Sequence, residues 1–126
     1  MKILNVDDNA IKSSRICNEV KRADSNAEID WVRNLEEAVK KIEENFENNT
    51  PYDLVITDMW YPKDFYGGDV ESGDKLIAMN KTEGWNLPMI LVSTINYHYR
   101  DILGCLHYSE NEDWESRLRD MIKELC

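Results

Sequence analysis

The chain is 126 residues long, enough for one domain with a single substantial core. At 42% hydrophobic and 32% charged, with few prolines and glycines, it has the composition of a folded globular chain and not of a disordered one. Twenty-five acidic residues against 15 basic ones give a net charge of −10, which argues against direct binding to nucleic acid or to an anionic membrane surface.

In chain order, Ile3–Val6 reads as a first buried strand, ended by Asp7-Asp8-Asn9. These early acids leave no signal peptide, and no apolar run approaches membrane-spanning length. Ser13, Ile16, Cys17 and Val20 follow at i, i+3, i+4 and i+7, one face of a helix. A weaker alternating strand covers Ala27–Val32. Asn34 then has the character of an N-cap, with Glu37 as its capping-box partner. The helix behind it carries Leu35, Ala38, Val39, Ile42 and Phe46 on one stripe and ends in the turn-rich run Asn45–Pro51.

Leu54-Val55-Ile56, bounded by Asp53 and Asp58, is the most strand-like run in the chain. A long polar and aromatic loop, Trp60–Val70, leads to a weaker helix over Gly73–Lys81. Pro88–Val92 is a fourth strand, and Ile102–Leu106 a fifth. Trp114, Leu118, Met121, Ile122 and Leu125 define the last helix. Strands apolar on both sides, separated by helices, predict a doubly wound five-stranded parallel sheet covered on both faces. Nothing in the sequence marks a linker or repeat, so one domain is expected over 1–126. Three cysteines without CxxC spacing, Cys17, Cys105 and Cys126, are expected to be reduced thiols, as in a cytoplasmic protein.

In such a fold, ligands bind at the carboxyl ends of the strands. Asp7 and Asp8 follow the first strand and Asp58 the third, so neighbouring strands bring three carboxylates together. Clustered like charges are unfavourable without a cation between them, and Mg²⁺ suits a few carboxylates, waters and a phosphoryl group. The fourth strand ends in Ser93-Thr94, where a hydroxyl can meet a phosphoryl oxygen. A carboxylate in this setting can accept a phosphoryl group as an acyl phosphate.

The order Asp7-Asp8, Tyr52–Met59, Pro62, Gly73 and Pro88–Ser93 resembles the receiver domain of two-component response regulators, over nearly the whole chain. The resemblance implies the flavodoxin-like receiver fold, Asp58 as phosphoacceptor, Ser93 as switch hydroxyl, and Mg²⁺ held by Asp7, Asp8, Asp58 and the backbone carbonyl of Trp60. It implies phosphotransfer from a histidine kinase or phosphotransfer protein and signalling to a protein target. The sequence departs from the family in three places. The lysine that ends the fifth strand in receivers is missing, and His107 falls at its position. Thr94–Asp101 leaves too little chain for a full fourth helix, which is expected short or missing. The loop Met59–Ser72 is enlarged beside the acids. These departures keep a second reading open, a pseudo-receiver that binds a protein partner without phosphorylation. A haloacid-dehalogenase-type hydrolase is set aside, because the run is Asp7-Asp8-Asn9 and not Asp-x-Asp.

Overall fold

A computed structural model describes residues 1–126. Its elements run β1 (Lys2–Val6), α1 (Ala10–Ala23), β2 (Glu28–Val32), α2 (Leu35–Glu47), β3 (Leu54–Thr57), β4 (Tyr61–Pro62), β5 (Asp69–Val70), α3 (Ser72–Thr82), β6 (Met89–Ser93), β7 (Gly104–His107) and α4 (Trp114–Leu125). Five strands form one parallel sheet in the order β2-β1-β3-β6-β7. No helix is long and apolar enough to cross a membrane.

Successive residues of a strand point to opposite faces, and here both faces are apolar. Ile3, Leu54, Ile56, Ile90, Val92 and Leu106 pack with Ile16 and Val20 of α1 and Leu118 and Ile122 of α4. Leu4, Val6, Val55 and Met89 pack with Leu35, Ala38 and Ile42 of α2 and Leu76 of α3. This pairing of α1 with α4 and of α2 with α3 is the doubly wound arrangement expected from the sequence. Its consequence for function is that every strand of the five-stranded sheet delivers its carboxyl end to one edge.

The capping of α2 follows the expected box in one half, the return bond falling on Arg33, one residue before the N-cap. The Asn34 side chain accepts the Glu37 N–H at 2.8 Å, while the Glu37 carboxylate reaches back to the Arg33 N–H at 3.1 Å. Phe46, placed on the apolar stripe by its spacing, lies on the exposed side of the last turn.

Residues 94–103 contain no helix, so the shortening expected there is complete and the fold has four helices. Side chains fix this segment instead. Tyr97 Oη accepts the Trp60 indole N–H at 2.8 Å, and the Tyr99 hydroxyl donates to Asp74 Oδ1 at 2.6 Å. The long loop is also more ordered than its composition indicates, because β4 and β5 pair antiparallel within it. Buried Tyr61 anchors that pairing: its hydroxyl lies 3.0 Å from Thr57 Oγ1, and its carbonyl accepts from Ser72 Oγ at 2.7 Å. Strands of two residues leave no periodicity to read.

Gly73, in the first turn of α3, sits against the turn that follows β3. A Cβ there would lie 2.2 Å from the Asp58 carbonyl oxygen and 2.7 Å from the Met59 Cα. Helix propensity alone favours alanine over glycine by up to about 1 kcal/mol. Crowding against backbone reverses the sign, so Gly73→Ala is expected to lower stability by about 1–3 kcal/mol in urea unfolding. A variant at least as stable as the wild type would contradict this packing.

Candidate phosphoryl and metal site

Val6 and Thr57 are paired in register, so the next residues, Asp7 and Asp58, emerge side by side from the central strands. Backbone bonds carry the strands into the site: the Asp7 N–H donates to Val32 and the Asp58 N–H to Val6. Asp7, Asp8 and Asp58 each offer an oxygen within 4.8 Å of the others. The Trp31 indole N–H holds the Asp7 carbonyl at 2.8 Å, and Arg33 holds the Asp8 carbonyl at 3.1 Å.

The cation facing these acids comes from α1. Lys12 is 3% exposed, and its Nζ lies 3.0 Å from both Asp7 Oδ2 and Asp58 Oδ1. The same nitrogen donates to the Val92 carbonyl at 2.6 Å, next to Ser93. Asp58 Oδ1 also accepts the Met59 N–H at 2.8 Å. That carboxylate is therefore oriented through one oxygen, and no protein hydrogen bond reaches Oδ2.

His107, expected at the position of the missing lysine, forms no hydrogen bond or ion pair with Asp58. Its Nε2 lies 3.0 Å from the Thr94 carbonyl and its Nδ1 3.8 Å from Glu112. An imidazole is shorter than a lysine chain, and here it satisfies the neighbouring loop. The sequence carried a signal for Lys12 in its spacing. Lys12, Ile16 and Val20 stand at i, i+4 and i+8, so the lysine extends the buried stripe of α1 towards the acids. A buried hydrogen bond from Ser13 Oγ to Asn5 in β1 fixes the rotation of α1 that brings Lys12 inward.

Ser93 ends β6, buried, on the same edge. Its hydroxyl oxygen accepts the Ile95 N–H at 3.2 Å, a local turn contact, and no bond joins it to the three acids. Trp60 lies two residues beyond Asp58, with its indole committed to Tyr97. Phe65 and Tyr66 of the long loop stack edge to face at 5.2 Å and are 82% and 93% exposed, so they do not cover the acids. Asp69 of β5 was not singled out in the sequence. The hairpin brings its carboxyl into hydrogen bonding with that of Asp8.

The site carries more negative charge than Lys12 neutralises. Burial pushes the Asp7 carboxyl above the usual range, against the pull of Lys12 and the Asn9 N–H. Asp8 is pushed up to about 6, first by desolvation and then by its hydrogen bond to Asp69 and the charges of Asp69 and Asp7. Asp7 Oδ2 is buried without a well-formed hydrogen bond although Lys12 is near. An under-satisfied carboxylate oxygen among converging acids fits a hard divalent cation.

No family sequence model and no curated protein matches the sequence. Solved structures do. The chain is similar to the phosphorylated cyanobacterial phytochrome response regulator RcpA, at 22% identity and a TM-score of 0.70 over 98% of this chain and 89% of that one. It is also similar to the chemotaxis response regulator CheY4 of Vibrio cholerae, at 16% identity and 0.68 over 99% and 98% of the two chains. A third is the response regulator TrrA of Thermotoga maritima in complex with Mg²⁺-BeF, at 27% identity and 0.66 over 99% and 98%. The chain is a doubly wound α/β domain with an acid-lined strand edge. Its fold is that of a response-regulator receiver domain.

The raised Asp8 value sets a pH dependence. Without metal, folded Asp8 keeps its proton to about pH 6, whereas unfolded it loses it near 3.8. The folded state binds more protons between these values, so the contribution of Asp8 to stability falls as pH rises through this window. Asp8→Asn is therefore expected to stabilise the metal-free protein at pH 7.5, by about 1 kcal/mol after solvent screening, and to have little effect at pH 4. Thermal melts at both pH values check this. An equal effect at both would show that Asp8 is not raised.

Proposed function

We propose that this domain is a phosphoacceptor switch in which Asp58 takes a phosphoryl group from a histidine kinase or phosphotransfer protein. The observation that carries the reading is the orientation of Asp58: Oδ1 is fixed by the Met59 N–H and Lys12, beside Asp7 and Asp8. An Asp58 carboxylate oxygen attacks phosphorus and forms an O–P bond. The bond from phosphorus to the donor breaks as it forms, and the donor atom leaves with the electron pair. The product is an acyl phosphate that retains the phosphoryl oxygens' negative charge.

Asp7, Asp8, Asp58 and the Trp60 carbonyl are the residues that would hold Mg²⁺. Bound there, the metal neutralises charge on the phosphoryl oxygens. Supporting this assignment are the convergence of the three carboxylates and the poorly satisfied Asp7 Oδ2. TrrA, solved with Mg²⁺-BeF, supports it by likeness. Within the chain, Met59 and Lys12 orient Asp58, and burial of Asp7 excludes water from one side. Ser93, at the end of β6, is placed by this reading as the hydroxyl that turns from Ile95 towards the phosphoryl group. Three free cysteines support a reducing, cytoplasmic setting. The acidic surface supports a protein target and no direct contact with nucleic acid or membrane.

The absence of a helix between β6 and β7 favours a second reading, a pseudo-receiver whose partner recognises the domain without phosphorylation. Incubation with acetyl phosphate and Mg²⁺, followed by intact mass spectrometry, separates the two. A single phosphoryl adduct is expected in the wild type and none in Asp58→Ala or without Mg²⁺. An adduct that persists in Asp58→Ala would remove Asp58 from its role. The lack of any adduct, with the native kinase as well as acetyl phosphate, would leave the pseudo-receiver.

A further inference from the structure

We propose that Lys12, projecting from α1, is the catalytic cation of this site and contacts the phosphoryl group on Asp58. The inference rests on the phosphoacceptor reading and goes beyond it, because it moves an essential charge to a different element of the fold. His107, the residue at the end of β7, is committed to Thr94 and Glu112. No other lysine or arginine forms an ion pair with Asp7 or Asp58.

Three observations carry the assignment. First, Lys12 is almost wholly buried, and lysine is rarely so unless its charge is partnered. Its ammonium has three N–H donors and three close oxygens: Asp7 Oδ2, Asp58 Oδ1 and the Val92 carbonyl. Secondly, a buried ion pair is a poor device for stability alone, since desolvation offsets much of the attraction. A charge held against the proposed reacting carboxylate has a better account in the chemistry at that carboxylate. Thirdly, Lys12 touches both sides of the site. It holds Asp58, where the phosphoryl group arrives, and Val92, beside the hydroxyl of Ser93.

When Asp58 is phosphorylated, the negative charge moves outward from its carboxylate to the phosphoryl oxygens. Lys12 follows that charge, exchanging its bond to Asp58 Oδ1 for one to a phosphoryl oxygen. The ammonium gives up no proton in this exchange. In the resting domain the same ammonium offsets charge on Asp7 and Asp58, and so opposes metal binding. The residue therefore acts in two opposed ways, lowering the affinity for Mg²⁺ while accelerating transfer in the loaded site.

The test uses Lys12→Met, Lys12→Arg and His107→Ala with acetyl phosphate and Mg²⁺. Adduct formation is followed by mass spectrometry, and Mg²⁺ affinity is measured separately by calorimetry. Lys12→Met is expected to slow adduct formation about 100-fold, the usual effect of removing a donor that stabilises developing charge. It is also expected to bind Mg²⁺ about tenfold more tightly, because an opposing charge is gone. A residue with only a structural role would not move these two quantities in opposite directions. His107→Ala should stay within about twofold of wild type, in line with surface changes that leave such features intact.

Should Lys12→Met fail to fold by circular dichroism, Lys12→Arg decides. It keeps the charge, but its planar guanidinium cannot place one nitrogen against all three oxygens, and a loss of about fivefold or more is expected. Phosphorylation of the wild type with an unchanged rate in a folded Lys12 variant would overturn this inference and leave Asp58 as acceptor. No adduct in the wild type, from acetyl phosphate or from the native kinase, would overturn both.

Discussion

The requirement on which this site depends is charge compensation at the carboxyl edge of the sheet. Two central strands end in acids at the same level, and a fully buried carboxylate among like charges is costly unless a cation stands within reach. Lys12 meets that requirement in the absence of metal, and much of the local structure follows from its placement. The first turn of α1 must face the sheet, so its N-cap, Asn9, has to sit immediately beyond the acid pair; Asn9 also donates its own N–H to Asp7. The hydrogen bond between Ser13 and Asn5 then keeps α1 from rotating the lysine into solvent. Acid pair, cap and lysine lie within six consecutive residues, Asp7–Lys12.

The compensation is incomplete, and the surplus lies on Asp8. Asp69, carried to its side by the β4–β5 pair, adds to the desolvation that raises the Asp8 carboxyl. The enlarged loop is thus more than an insertion beside the site. It adds the charge of a further carboxyl, Asp69, beside Asp8. Its aromatic tip, Phe65 and Tyr66, points its surface to solvent and takes no part in this balance.

How much of this was legible in the sequence varies with the range of the interaction. Alternating apolar runs gave the sheet, since both faces are buried and residues such as Ile3 and Leu4 divide cleanly between two cores. The acids at the ends of the first and third strands were legible because strand ends and neighbouring strands are local inferences. Lys12 was missed for a different reason. A lysine near the start of a helix ordinarily reads as solvated, and its burial follows from the acids it faces across the edge. His107 was expected in the role because its place in the chain matched, yet a strand-end position does not supply the reach of a longer side chain. Asp69 depended on a two-residue strand pairing that no periodicity announces.

The segment between β6 and β7 has a consequence for motion. A helix holds its backbone through bonds of its own, so it opens as a unit and at appreciable cost. Residues 94–103 have no such ladder and are fastened by single bonds to Ser93, Trp60, Asp74, Cys105 and His107, with one backbone bond from Leu103 to Met89 at the end. Opening this stretch breaks a few partly solvated side-chain bonds and leaves every helix intact, which places it at the low end of the local-stability scale. It begins directly after Ser93, and one of its fasteners is the residue two positions beyond Asp58. A segment that is inexpensive to rearrange is therefore attached at both sides of the acid edge, and a change of charge there acts on a tether instead of on a rigid rod.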